Sequence, residues 1–163
     1  MKLPQIIQQK IVDLPGLLHQ VRRWRLLGKK VAFTNGCFDI LHQGHIASLS
    51  DAAREADFLI VGVNTDASTC RLKGPQRPIN NQEARATVLA ALLMVDAVVL
   101  FDQDTPLDLI TAIQPDVLVK GGDYALEQIV GAKEVMAAGG RVVINPIVPG
   151  YSTTGLIEKI LKL

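Results

Sequence analysis

The sequence has few of the residues that build disulfide frameworks, metal clusters or basic surfaces. Only two cysteines occur, Cys37 and Cys70, and they form no CxxC motif. This content gives no disulfide framework and suits a reducing cytosol, where we therefore expect the protein. The formal net charge is +1, whereas a nucleic acid or an anionic membrane as main partner favours a strongly basic chain. We predict neither of these partners.

Long hydrophobic stretches are also missing. The longest, Val88–Phe101, is interrupted by Asp96 and is too short to span a bilayer. Residues 1–10 lack the unbroken apolar core of a signal peptide. We therefore expect a soluble protein, and its 163 residues suit a single domain with a substantial core.

Three common types of functional site have no signature in this sequence. There is no GxxxxGK[ST] motif for a P-loop and no GxSxG motif for a nucleophile elbow. Of the three histidines, His19 lies in a predicted helix far from the other two, so no metal triad is visible. We therefore assign no protein ligand to a metal.

What the sequence does contain is an alternation of short apolar runs and helical segments. Residues 58–64 form an almost continuous apolar run, which is typical of a strand buried on both faces of a parallel sheet. The pattern predicts further strands at 30–34, 97–101, 117–120 and 141–144, helices at 43–55, 82–94 and 127–138, a polar loop at 65–81, and N-caps at Asn80 or Asn81, Thr105 and Ser152. The fold class is therefore α/β, a Rossmann-like, doubly wound parallel sheet of about five strands with helices on both faces.

The segment before the first strand is also predicted to be helical. Leu17, Val21 and Trp24 recur there at helical spacing. We divide the chain into an N-terminal helical extension, residues 1–28, and the main α/β part, residues 29–163, within one globular domain overall.

The strongest functional signal follows the first strand. That strand ends at Phe33-Thr34 and turns at Asn35-Gly36, and His42 and His45 then flank Gly44 at the start of a helix. Free N–H groups and the helix dipole at such a turn attract phosphate. About one helical turn separates the two imidazoles, so both can face one point. Caps or packed side chains are the plainer interpretation, but for this pair we favour a phosphate-handling catalytic loop, in which Gly44 leaves a gap for a ligand.

Other polar residues fall in loops at the same predicted edge of the sheet. Lys73 and Arg77 are candidates to close over a triphosphate, although an ordinary solvated loop would look the same. Ser152, Thr153 and Thr154 offer hydroxyl and N–H groups to an anion, and Ser152 is also a simple N-cap.

Three further charged residues have two interpretations each. Asp39 either shapes its turn or contacts a substrate or cation, and Asp123 either shapes a turn or meets a ribose hydroxyl. Arg85 reaches either a phosphate or an acidic neighbour. Cys37 is interpreted as a small packed residue because no paired base marks it as a nucleophile.

These residues resemble a known family. His42-Gln43-Gly44-His45 matches the HxGH signature of the nucleotidyltransferase superfamily, which shares its fold with class I aminoacyl-tRNA synthetases. Gly36–Asp39 and Ser152–Thr154 are similar to its cytidylyltransferase-type branch. More narrowly, residues 34–39, 71–74 and 119–124 resemble the adenylyltransferases of bacterial ADP-heptose synthesis, part of lipopolysaccharide biosynthesis. In many bacteria the adenylyltransferase domain is fused to a sugar kinase. Since this sequence contains no kinase domain, the resemblance implies a stand-alone adenylyltransferase.

The resemblance implies a reaction in which ATP and D-glycero-β-D-manno-heptose 1-phosphate give ADP-heptose and pyrophosphate, with Mg²⁺ carried by the ATP phosphates. It implies that His42, His45 and Lys73 are catalytic. The implied nucleotide and phosphate contacts are Phe33, Thr34, Asn35, Gly36, Phe38, Gly44, Lys120, Gly122, Asp123, Ser152, Thr153 and Thr154. Related enzymes are commonly dimers, so we expect a homodimer or higher homo-oligomer, with the N-terminal helix as a candidate interface.

One departure bears on the choice of nucleotide. Glycerol-phosphate cytidylyltransferases have an arginine shortly before the Ser-Thr-Thr motif, whereas residues 146–151 of this chain include no arginine or lysine. We expect Arg77 or Arg85 to supply the missing charge. A cytidylyltransferase for a phosphorylated alcohol, another adenylyltransferase such as one for FMN or phosphopantetheine, and a non-catalytic nucleotide-binding module are the alternatives.

Overall fold

The computed structural model describes residues 4–146 and 148–162. Within these ranges, the five predicted strands appear in order, and each is followed by one or two helices. The elements are α1 Ile6–Gln9, α2 Leu14–Leu26, β1 Val31–Gly36, α3 Gln43–Ala53, β2 Phe58–Asn64, α4 Asp66–Lys73, α5 Gln82–Ala90, β3 Ala97–Phe101, α6 Leu107–Ile113, β4 Val117–Gly121, a 3-10 turn Leu126–Gln128, α7 Ala132–Ala137, β5 Arg141–Asn145 and α8 Thr153–Ile160.

All neighbouring strands in the sheet are parallel, and their order is β3-β2-β1-β4-β5. β1 lies in the centre, where Phe33 is in register with Ile60 of β2 and with Leu118 of β4. The chain builds outward from β1 first on one side and then on the other, so the order reverses between β1 and β4. The predicted doubly wound sheet is confirmed, and its switch point lies where the histidine loop leaves β1.

Helices cover both faces of the sheet because each strand directs alternate side chains to opposite sides. On β1, Val31 and Phe33 join the core beneath α2, α6 and α7, whereas Ala32 joins the core beneath α3 and α5. All three side chains are fully buried. Burying a large apolar side chain such as Phe33 stabilises the fold by roughly 1.5–3 kcal/mol.

The described part of the N-terminal segment packs into this core. Leu17 and Val21 of α2 are buried against the sheet. Just before α2, the backbone N–H of Val12 donates to the carbonyl of Val98 at 2.9 Å, and the Val98 N–H donates to the carbonyl of Lys10 at 2.8 Å. The segment thus pairs with the β3 edge and shares the core of the α/β part.

The predicted polar loop at 65–81 is wrong in its first half, where α4 forms instead. The Thr65 hydroxyl caps the helix by accepting from the N–H of Ser68 at 3.2 Å, and Gly74, at φ 100°, ends it. An apolar periodicity was absent because α4 buries Ser68 and Thr69, both polar, against the sheet. Lys73 therefore lies in the last turn of a helix.

The predicted helix at 127–138 is interrupted. The structure has the 3-10 turn Leu126–Gln128 followed by the shorter α7, Ala132–Ala137. Gly131 separates them with φ 86°, and a Cβ on it would lie 2.6 Å from the Ile110 side chain. Close packing on α6 therefore requires a glycine where a continuous helix was expected.

Two of the three predicted caps are confirmed. Asn81 and Ser152 each accept a hydrogen bond from a backbone N–H in the first turn, at 2.9 and 3.0 Å. Thr105 is wrong as a cap, because the helix begins at Leu107 after Pro106 and no side chain caps it. Within the described ranges, no helix has both the length and the apolar character needed to cross a membrane.

We predict that Leu17→Ala lowers the free energy of unfolding by about 2–5 kcal/mol, because it leaves a cavity in the core. Leu26→Ala on the same helix is the matched control, since Leu26 is 87% exposed and Leu17 is 0% exposed. The control should change stability by no more than about 0.5 kcal/mol. Urea unfolding measures both, and equal effects would show that the N-terminal helix is not part of the core.

Candidate active site

A cavity of about 710 Å³ opens at the carboxyl ends of the strands. It brings together most of the residues that the sequence placed in a site. Those that line it are Thr34, Asn35, Gly36, Phe38, Asp39, His42, Gly44, His45, Lys73, Arg77, Lys120, Ser152, Thr153 and Thr154. Several loops and the ends of α3, α4 and α8 therefore meet at the switch point, as the parallel sheet requires.

Four predicted site residues are not part of the cavity lining. Phe33 is fully buried in the core, with its ring packed against Gly62. Gly122 is buried and donates its N–H to the Asn145 carbonyl at 3.0 Å, while Asp123 beside it is exposed to solvent. The fourth, Arg85, is held within the fold as described below.

The two histidines stand together at the start of α3. Their ring centroids are 3.9 Å apart, with 27° between the ring planes. His42 is the N-cap residue, and its backbone N–H donates to Nδ1 of His45 at 3.4 Å. Because Nδ1 of His45 accepts this bond, the proton of neutral His45 resides on Nε2.

Burial favours the neutral form of both imidazoles. It lowers the pKa of His45 to about 4, with a smaller contribution from His42, and it also lowers the pKa of His42. Within the described residues, Nδ1 of His42 is buried without a hydrogen-bond partner. A buried nitrogen without a partner is costly, so a ligand that bonds to it recovers that cost.

The glycines of this loop permit close side-chain packing. A Cβ on Gly44 would lie 3.1 Å from the His42 ring and 3.2 Å from Cβ of Tyr151. The expected gap for a ligand is therefore taken up largely by these two side chains. Gly36 similarly accommodates the ring of Phe38, whose own φ of 48° is unusual for a residue other than glycine.

Asp39 connects the histidine loop to the segment after α4. Its buried carboxylate accepts from Nε of Arg77 at 2.6 Å and from the backbone N–H groups of Ile79 and Asn80 at 2.8 and 2.9 Å. Burial raises the pKa of Asp39, but these backbone bonds and Arg77 outweigh it and leave the pKa below its usual value. Of its two interpretations, the structure shows the one in which Asp39 shapes the backbone.

Arg85 has a similar structural role, and of its two interpretations the structure shows the acidic neighbour. Its guanidinium pairs with the Asp66 carboxylate at 2.7 Å, and its side chain is fully buried. It also donates to the carbonyls of Asn80 and Cys37. The bond to the Cys37 carbonyl fixes the backbone of the histidine loop. Of the two arginines expected to supply the missing charge, only Arg77 lines the cavity.

Positive charge in the cavity comes mainly from two lysines. Lys73 enters from the end of α4, and Lys120 from the end of β4. Burial lowers the pKa of the Lys120 ammonium, and the charge of Lys73 lowers it further. A polyphosphate bound between them would relieve this repulsion.

Several residues in the cavity were not predicted from the sequence. Asn64 ends β2 and Asp104 follows β3, so the position of each at a strand's carboxyl end was a usable signal. Tyr151 carried no such signal. Its hydroxyl donates to Oε1 of Gln43 at 2.6 Å, and its ring lies 6.2 Å from that of His42. The start of α8 is thereby seated on the histidine loop, with a further bond from Thr153 Oγ1 to the Ile40 carbonyl at 3.3 Å.

The two ends of the cavity differ in chemistry. Beyond β4 and β5 the lining is largely apolar and aromatic, with Tyr124, Ile129, Val130, Pro146, Val148 and Tyr151. Beyond β2 and β3 it is mainly polar and charged, with Asn64, Lys73, Arg77, Asp104 and Thr105. The histidines lie between these ends, because β1 is the central strand.

Comparison with known proteins agrees with this geometry. Residues 33–159 match the cytidylyltransferase-like family. The bifunctional protein HldE of Hyphomonas neptunium is 57% identical over 149 residues, and the match covers 91% of this chain and 31% of that protein. The protein of the same name from Caulobacter sp. is 57% identical over 150 residues, covering 92% and 31%. The chain thus spans under a third of the length of these relatives.

Two solved structures share the fold. The lipopolysaccharide core biosynthesis protein of Thermoplasma volcanium superposes with a TM-score of 0.59 at 28% identity, covering 74% of this chain and 98% of that one. Pantoate-beta-alanine ligase from Francisella tularensis superposes with a TM-score of 0.60 at 16% identity, covering 94% and 78%, which supports the fold alone.

The doubly wound sheet, the histidine pair at its switch point and these similarities together define a nucleotidyltransferase. More narrowly, the chain belongs to the cytidylyltransferase-like family.

We predict that Asp39→Ala lowers the free energy of unfolding by about 3 kcal/mol, because it leaves Arg77 and two N–H groups without their partner. Asp51→Ala is the matched control. Both carboxylates lie 2.6 Å from an arginine, but Asp39 is 1% exposed and Asp51 is 41% exposed. An exposed pair contributes only about 0–1 kcal/mol. If denaturant unfolding gave similar losses, Asp39 would not organise this loop.

We predict that His45 titrates near pH 4 in the folded protein, as measured by NMR of its ring nitrogens. The ordinary pKa of a histidine side chain is 6.5. Between these two pH values the unfolded chain binds a proton that folded His45 does not, so stability falls as the pH drops through this window. His45→Asn should remove that part of the pH dependence. A midpoint near 6.5 would contradict the neutral, Nε2-protonated form.

Proposed function

We propose that this chain transfers the adenylyl group of ATP to a sugar 1-phosphate, D-glycero-β-D-manno-heptose 1-phosphate, giving ADP-heptose and pyrophosphate. The observation that carries the proposal is the stacked pair His42 and His45, which shares one cavity with two lysines and the N-terminus of α8.

The reaction needs little covalent chemistry from the protein. The acceptor phosphate is largely ionised at neutral pH, since its second pKa is about 6. It needs no general base and no covalent intermediate. What it needs is in-line positioning against the α-phosphate of ATP, and groups that stabilise negative charge as pyrophosphate leaves.

The cavity holds groups of this kind. Neutral His45 presents an Nε2–H donor, and His42 stacks beside it at 3.9 Å. Lys73 and Lys120 supply charge for the triphosphate. The hydroxyls and N–H groups at Ser152–Thr154 add the anion-binding end of α8. We assign the histidines and Lys73 to charge stabilisation during transfer.

The difference between the two ends of the cavity supports an orientation. The apolar and aromatic end beyond β4 and β5 suits a nucleobase. The polar end beyond β2 and β3 suits a phosphorylated sugar. The α-phosphate would then lie between them, beside the histidines.

The choice of ADP-heptose chemistry is supported by similarity. Residues 71–74 and 119–124 resemble adenylyltransferases of that pathway. The relatives named HldE are 57% identical, and the Thermoplasma volcanium protein is named for lipopolysaccharide core biosynthesis.

The donor set fits Mg²⁺ that is bound chiefly by the nucleotide. No group of three or more His, Cys, Asp or Glu residues able to hold a metal occurs in the part of the chain that the structure describes. Asp39 lines the cavity, but Arg77 and backbone N–H groups occupy its carboxylate. Mg²⁺ on the ATP phosphates would supply further positive charge to the triphosphate.

Pyrophosphate release from each NTP in the presence of a panel of phosphorylated acceptors tests the proposal. We expect ATP with the heptose 1-phosphate to be the preferred pair. Preference for CTP with glycerol 3-phosphate would instead support the cytidylyltransferase alternative that the family name suggests. Tight ATP binding with no pyrophosphate from any acceptor would indicate a binding module.

In the same assay, we predict that His45→Ala lowers kcat by roughly 10²- to 10³-fold, because it removes a charge-stabilising donor. The folded state should persist by circular dichroism. His19→Ala is the matched control, since His19 is exposed on α2 and outside the cavity lining. Near-normal turnover of the His45 variant would remove the catalytic assignment.

A further inference from the structure

Asp104 is an anomaly in a cavity otherwise suited to phosphate. It lines the polar end together with the cations Lys73 and Arg77. The carboxylate of Asp39 is buried and fully engaged, whereas the side chain of Asp104 is 60% exposed. A free carboxylate repels phosphate, so this position is unsuited to the triphosphate or to the reacting phosphate of the acceptor.

One oxygen of Asp104 is held and the other is available. Oδ1 accepts from Nε of Arg71 at 2.7 Å. Among the residues that the structure describes, none donates a hydrogen bond to Oδ2. Arg71 also donates to the carbonyl of Asp102, which clamps the turn that presents Asp104. The carboxylate is therefore oriented before any ligand binds.

Arg71 and Lys73 both lie in the last turn of α4. The bond from Arg71 therefore links Asp104 to the helix that carries Lys73, a candidate catalytic residue. Two further bonds fix α4 to the segment after β3. Oγ of Ser68 donates to the Gln103 carbonyl at 3.0 Å, and the N–H of Thr65 donates to the Phe101 carbonyl at 2.9 Å. The end of α4 and the turn at 102–104 thus form one unit.

Hydroxyl groups are the ligands that an oriented, half-free carboxylate recognises. A carboxylate accepts strong hydrogen bonds from neutral donors, and a sugar presents several hydroxyls beyond its phosphate. Thr105, next in the chain, adds a hydroxyl to the same lining. We propose that Asp104, oriented by Arg71, binds a hydroxyl of the acceptor sugar and thereby selects sugar phosphates over simpler phosphate esters. This inference rests on the proposed function.

The test compares two acceptors in wild type and Asp104→Asn. One is the preferred sugar 1-phosphate, and the other is methyl phosphate, which has a phosphate but no hydroxyl. Methyl phosphate is measured as an acceptor or, where turnover is too slow, as a competitive inhibitor. Asparagine can keep the Arg71 contact through its oxygen but replaces the free acceptor oxygen with an NH₂ group. We expect kcat/KM for the sugar phosphate to fall roughly tenfold to hundredfold, with methyl phosphate and the KM for ATP unchanged.

Asp108→Asn is the matched control. Asp108 is exposed in the first turn of α6, lies outside the turn at 102–104 and is not part of the cavity lining. Its variant should leave the ratio between the two acceptors as in wild type. A purely structural role for Asp104 would weaken both acceptors together, and that result would overturn the inference.

The two proposals fail differently. If Asp104→Asn turned over sugar 1-phosphates as fast as wild type, the proposed hydroxyl contact would be overturned and the proposed function would still stand. No turnover by wild type of any sugar 1-phosphate would overturn both.

Discussion

The buried carboxylate of Asp39 holds together the two segments on which the site depends. It lies in the histidine loop after β1 and accepts bonds from Arg77, Ile79 and Asn80 across the cavity rim. A buried carboxylate is stable only when its oxygens are bonded, so the two backbones must keep this arrangement. The positions of His42 and of the segment after α4 are therefore coupled through one side chain.

Several polar side chains near the cavity serve its backbone. Arg85 binds the Cys37 carbonyl and the Asp66 carboxylate, and Tyr151 binds Gln43. The particular atoms committed to such bonds are not available to substrate. This distinction separates the residues that shape the cavity from Lys73, Lys120 and Nδ1 of His42, which is buried and has no hydrogen-bond partner among the residues that the structure describes.

The sequence predicted the strands, the switch-point loop and most of the cavity lining, because these follow from local rules. A continuous apolar run identified β2 to the residue, and the glycine turn with His42 and His45 identified the phosphate-handling loop. The α4 helix was missed because its buried residues, Ser68 and Thr69, are polar and show no apolar periodicity. The broken helix near Gly131 was missed because its cause is contact with Ile110, far away in the chain.

By itself, the sequence determined the order of the five strands, a cap at Asn80 or Asn81 and another at Ser152, and most of the chemical groups at the carboxyl edge of the sheet. These depend on backbone sterics, hydrophobic periodicity and the geometry of parallel strands. Only the tertiary structure decided which of those groups stay free. Arg85 pairs with Asp66, and Asp39 pairs with Arg77. Asp104 bonds to Arg71 through one oxygen, and its other oxygen remains available. Hydrogen-bond partners that are distant in the sequence decide which groups stay free, and local sequence patterns do not specify those partners.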